Sequence, residues 1–101
     1  MEHVGRDPGG IHFNIHCAAY SAATGNNRGS FARLDDPYSD FHVYTLDWNA
    51  DRIVFMLDNI PYFTYYKHSS PDQTWPYDGT FNIILNLGWR NLLLIFNYFC
   101  F

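Results

Sequence analysis

Short runs of alternating apolar and polar residues, each closed by a turn signal, constrain this chain more than anything else in it. Ile11-His12-Phe13-Asn14-Ile15-His16 is the clearest run. Its period of two is that of a half-buried strand, not of a helix. His12, Asn14 and His16 fall on one face, and Ile11, Phe13, Ile15 and Cys17 on the other. The strand is expected to run from about Ile11 to Tyr20, after a stub at Met1–Val4 and a turn at Arg6-Asp7-Pro8-Gly9-Gly10. Residues 21–37 carry turn chemistry throughout and read as a long loop. Further strands are expected at Phe41–Trp48, Arg52–Leu57, Ile60–Tyr66 and Phe81–Leu87. Asp58-Asn59 reads as a hairpin turn, and Pro61 places the strand after it at an edge or delays its start. No segment keeps a helical period. Short strands separated by turn signals indicate an all-β sandwich, here of about six strands.

At 101 residues the chain allows one small domain. It is 48% hydrophobic and 20% aromatic, which excludes a disordered chain. The net charge of −4 and the lack of a basic run argue against nucleic acid as a partner. Cys17 and Cys100 are the two cysteines and make no disulfide framework; Cys17 is expected as a buried free thiol. No phosphate-binding glycine loop, Cys-x-x-Cys pair or nucleophile-elbow serine is present. The start lacks the apolar stretch of a signal peptide.

Among ten acidic residues Glu2 is the single glutamate. It precedes His3-Val4-Gly5 and the turn, and the histidine-bearing strand follows. On pattern alone an exposed terminal glutamate and ordinary strand histidines account for these residues. Four motifs in one order add to that reading: Met1-Glu2-His3-Val4-Gly5, Ile11-His12 with His16, Asp40-Phe41-His42-Val43-Tyr44 with Trp48, and Phe81-Asn82-Ile83-Ile84-Leu85-Asn86-Leu87. Together they resemble the C-terminal part of the catalytic domain of glycoside hydrolase family 16, in particular its laminarinase-like endo-β-1,3-glucanases.

The resemblance covers Met1 to about Trp89. It implies a partial concanavalin-like β-jelly-roll sandwich, with a cleft for β-glucan on its concave face. The family's active strand reads Glu-x-Asp-x-x-Glu, and Glu2 matches the final glutamate, the general acid/base. The nucleophilic glutamate and the assisting aspartate would lie before residue 1. A retaining glycosidase needs two carboxyl groups about 5–5.5 Å apart, so the chain by itself is expected to be inactive. His16 matches a family histidine beside the catalytic strand. It is a candidate for hydrogen bonding to sugar or to carboxylate, and equally a strand histidine with backbone or solvent partners. Trp75 and Trp89, both expected in loops, are candidates for stacking on sugar. Asn82 and Asn86 are candidates for binding sugar hydroxyls or, equally, buried amides. His42, Tyr44 and Trp48 read as structural. Glu2, His12 and His16 suggest a metal triad, but the resemblance accounts for them without metal, and no cofactor is expected.

The tail, residues 91–101, is apolar and departs from the family pattern, which gives a division into 1–90, a partial family domain, and 91–101. The tail is about half the roughly 20 residues that a membrane helix needs, so no membrane is expected as a partner. It is expected to be translated from intron or frameshifted sequence. The resemblance implies a secreted protein. A non-catalytic β-glucan-binding module and a non-functional translated fragment are the other readings.

Overall fold

The structure, a computed structural model, describes residues 1–68, 74–88 and 93–99; for residue 22 and from residue 86 onward it describes the backbone alone. Eight strands stand in the described residues: β1 (Glu2–Val4), β2 (Gly10–Ile15), β3 (Arg28–Arg33), β4 (Tyr44–Trp48), β5 (Arg52–Leu57), β6 (Ile60–Tyr66), β7 (Asn82–Gly88) and β8 (Leu93–Phe99). They form an antiparallel five-stranded sheet in the order β3-β2-β1-β8-β7 and an antiparallel three-stranded sheet in the order β4-β5-β6. The fold is all-β, a partial jelly-roll sandwich.

The alternation read from β2 decides how the sheets meet. Ile11, Phe13 and Ile15 turn inward with Ala32 of β3, and meet Ile53, Phe55 and Leu57 of β5. Phe13 is fully buried, its ring 6.1 Å from that of Phe55 and stacked at 5.6 Å on that of Tyr62. Burial of one such side chain contributes roughly 1.5–3 kcal/mol. Tyr65 extends the core. Its ring stacks on Trp75 at 5.6 Å and 18°, and its hydroxyl donates to the Thr74 carbonyl at 2.5 Å.

The small sheet follows the sequence closely. Asp58 and Asn59 take φ of 51° and 65°, the left-handed pair that a two-residue hairpin turn requires. β6 is an edge strand, as Pro61 demands, and its ladder shifts register between Phe55 and Met56, leaving Tyr62 as the extra, bulged residue. Asn49 closes the turn between β4 and β5, its Oδ1 accepting from the Asp51 and Arg52 amides.

Three expectations change. β2 stops at Ile15 because Cys17 and Tyr20 bond to each other, amide to carbonyl in both directions, and turn the chain. β4 starts at Tyr44, not Phe41. The Val43 amide and carbonyl are both taken by Asp58, through its carboxylate and its own amide, so this residue leaves the ladder. Arg28–Arg33, read as loop, is β3, paired along its whole length with β2. The tail also contributes: β8 lies between β1 and β7.

Candidate active site

β1 is three residues long and lies inside the larger sheet, between β2 and β8. The turn that joins it to β2 is fixed by two backbone bonds, from the Asp7 amide to the Val4 carbonyl at 2.9 Å and from the Gly10 amide to the Asp7 carbonyl at 2.8 Å. Glycine at position 10 leaves room for the Asp7 carboxylate, which a Cβ there would displace. That carboxylate takes a 3.0 Å ion pair from Arg33 on β3 and ties the turn to the sheet edge. Glu2 is therefore held on a strand with ladder partners on both sides.

Register then decides what stands near it. Glu2 pairs with His12, and His12 with Phe31. Residues directly opposite in an antiparallel ladder share a face. Glu2, His12 and Phe31 thus form a row across the sheet on the face turned away from the core, because Ile11, Phe13 and Ala32 occupy the inner face. Asn14 stands next to the row on the same face, its side chain over Gly29, where a Cβ would meet the Phe13 carbonyl oxygen and the Asn14 amide. On the other side Glu2 pairs with Ile95 of β8, and Ile95 with Asn86 of β7. The Cα of Asn86 is therefore in the same transverse row as Glu2.

His16 lies one residue past the end of β2 and is exposed. Its carbonyl accepts a 2.8 Å hydrogen bond from the Tyr77 hydroxyl, which fixes its backbone. Burial pushes the Tyr77 phenol well above its usual range. Glu2, Asn14 and His16 share a crevice of about 50 Å³ with Ile15, Leu46 and Ile53 of the two sheets and with Phe81, just before β7.

Trp75 is a correction. It is 3% exposed, stacked on Tyr65, with its indole N–H donating to Asp78 Oδ1 at 3.1 Å. Buried in this way, the ring has no face open to a sugar. Asn86 is placed by its backbone, and Trp89 lies outside the described residues. Cys17 is a free, half-buried thiol whose Sγ lies 3.8 Å from the Thr74 carbonyl oxygen; Cys100 lies outside the described residues. His42 gives its Nδ1 to Asp58 Oδ2 at 2.7 Å, Tyr44 is half-buried, and Trp48 meets Phe81 edge-on at 5.1 Å. Among the described residues no three His, Cys, Asp or Glu side chains come together as metal ligands. Phe31 joins this face through β3, a strand that turn-type residues conceal in the sequence. The available signal was one aromatic in an otherwise small and charged run, Arg28-Gly29-Ser30-Phe31-Ala32-Arg33.

The fold defines a partial jelly roll with a carboxylate and a histidine paired on its outward sheet face, and the comparisons give its family. The family model of the glycosyl hydrolases family 16 matches residues 1–91, and the chain belongs to that family. A β-glucanase of Rhodothermus marinus is 33% identical over 86% of this chain and 32% of its own length. Xyloglucan endotransglucosylase protein 7 of Diospyros kaki is 39% identical over 48% of this chain and 18% of its own. A probable xyloglucan endotransglucosylase/hydrolase, protein 12 of Arabidopsis thaliana, is 40% identical over 46% and 16%. The chain spans about a third or less of the length of these relatives. No solved structure matches it.

Proposed function

We propose that this chain is the acid/base half of a secreted, retaining endo-β-1,3-glucanase. Glu2 would protonate the departing glycosidic oxygen and later activate the water that releases the sugar. The observation that carries the reading is the register of Glu2. It stands on a central strand of the larger sheet, on the outward face, beside His12 and in the transverse row of Asn86. A glucan lying across the strands would pass over this row. His12 and Asn14 are on hand as hydrogen-bond donors for sugar hydroxyls.

The reaction needs a second carboxylate about 5–5.5 Å from the first as nucleophile. Glu2 is the single glutamate of the sequence. The nucleophile and the assisting aspartate belong, in this proposal, to an active strand whose last acid is Glu2. The isolated 101 residues then bind glucan without cleaving it. The intact mass of the protein from its source is the first test. A mass near 11.8 kDa limits it to glucan binding, and a mass more than twice that restores the catalytic pair. In the second case laminarin hydrolysis is expected, with Glu2→Gln lowering kcat by two orders of magnitude or more, the scale of general acid catalysis. Full hydrolysis by Glu2→Gln would overturn the assignment. Parallel assays on lichenan and xyloglucan decide the linkage.

The second reading, a non-catalytic glucan-binding module, is supported by the exposed Phe31 beside His12 on the same outward face. It predicts retention on insoluble β-1,3-glucan with no release of reducing sugar at any chain length.

A further inference from the structure

Phe31 has no part in the core. It is 43% exposed on β3, the edge strand of the larger sheet. Its ring is held from two sides. His12 packs against it at 5.0 Å between centroids and 57° between planes. Gly10 lies under it, and a Cβ built at Gly10 would come within 3.0 Å of its Cε2. A glycine at that position lets the ring settle toward the sheet instead of standing clear of it. The result is an aromatic surface fixed by its neighbours and open to solvent, in one transverse row with His12 and Glu2.

The row has a length scale. Neighbouring strands lie about 4.8 Å apart, so Phe31 is two strand spacings, roughly 10 Å, from Glu2. That is the scale of a disaccharide. A linear polysaccharide placed across the strands with one glycosidic bond over Glu2 would bring a pyranose ring over Phe31. Aromatic rings offer a large apolar face at low conformational cost, which suits the C–H face of a pyranose. The rest of the row supplies the polar complement, the His12 imidazole and the Asn14 amide.

We propose that Phe31, held by His12, is a sugar-stacking subsite for a β-glucan that crosses the strands of the larger sheet on the side of Glu2 away from β8. The subsite rests on the reading of this face as the glucan cleft, and the test separates the two. Purified chain is titrated with laminarin oligosaccharides by calorimetry, alongside Phe31→Ala, Phe31→Trp and Tyr66→Ala. Tyr66 is 58% exposed on β6 of the other sheet and serves as the off-face control. Expected are a five- to tenfold weaker Kd for Phe31→Ala, the scale of one aromatic contact, and wild-type binding for Phe31→Trp and Tyr66→Ala. Thermal unfolding unchanged by Phe31→Ala is the control for folding. If the unsubstituted chain binds but Phe31→Ala binds equally well, the subsite is overturned and the cleft reading stands. If the unsubstituted chain binds no glucan, the cleft reading fails and takes the subsite with it. If Phe31→Ala abolishes self-association instead, the ring is a contact between copies and the proposal is overturned.

Discussion

Asp58 joins two parts of the small sheet with one side chain. It sits in the left-handed turn between β5 and β6, and its two oxygens accept from the Val43 amide at 2.8 Å and from His42 Nδ1 at 2.7 Å. These bonds hold its carboxyl below the usual carboxylate range, the Val43 amide first and His42 second. Asp78 is held low in the same way, by Lys67 and then by the Trp75 indole. A depressed carboxylate pKa in the folded state contributes stability at pH values above the unfolded pKa, near 4, and loses it as pH falls through the folded value. The unfolding midpoint is expected to hold from neutral pH to about 4 and then fall. An Asp58→Asn, Asp78→Asn double variant should start lower and show a shallower fall, measured by thermal denaturation across that range. At this scale the sequence is legible where chemistry is local. The Asp58-Asn59 turn and the face shared by His12 and Asn14 follow from residue type and period. Trp75 does not, because what buries it is Tyr65, ten residues away on β6.

At the scale of elements, β2 is the strand on which both the core and the candidate site depend. Its inner face carries Phe13, and its outer face carries His12 and Asn14. Phe13→Ala is expected to cost about 3–5 kcal/mol, the range for a fully buried aromatic truncated to alanine, read as a shift in the denaturant midpoint. Gly29→Ala on β3 tests the pairing from the other side. The added methyl would press on the Phe13 carbonyl and on Asn14, and the expected cost is about 1–3 kcal/mol by overpacking. β3 was unreadable in the sequence for the reason that makes it useful here. It is an edge strand with one buried side chain, Ala32, so it has almost no apolar period to show, and its glycine and serine read as a turn. β5, central and buried on the inner face, has the bounds that its sequence indicates, Arg52–Leu57.

Over the whole molecule the two layers are unequal. The three-stranded sheet reaches β2 and β3 of the larger one, and β7 lies beyond its cover. Ile83 and Leu85, on the inward register of β7, are consequently 75% and 67% exposed. An apolar face on an edge strand is a template for association. Sedimentation at rising concentration should show oligomers, and Ile83→Lys with Leu85→Lys should return the chain to monomer. Register shows where the uncovered apolar face lies. The strand order carries a further consequence. β1 and β8 are ladder neighbours, with Glu2 opposite Ile95, although nearly the whole chain separates them. Such a pairing closes late, because the loop entropy of the intervening chain must be met before the contact forms. During synthesis, residue 2 leaves the ribosome long before residues 93–99 and waits for them before its strand is bonded on both sides. The strand that carries the candidate acid is therefore among the last to be locked. Amides of β1 should gain hydrogen-exchange protection after those of β5 in a pulse-labelled refolding experiment.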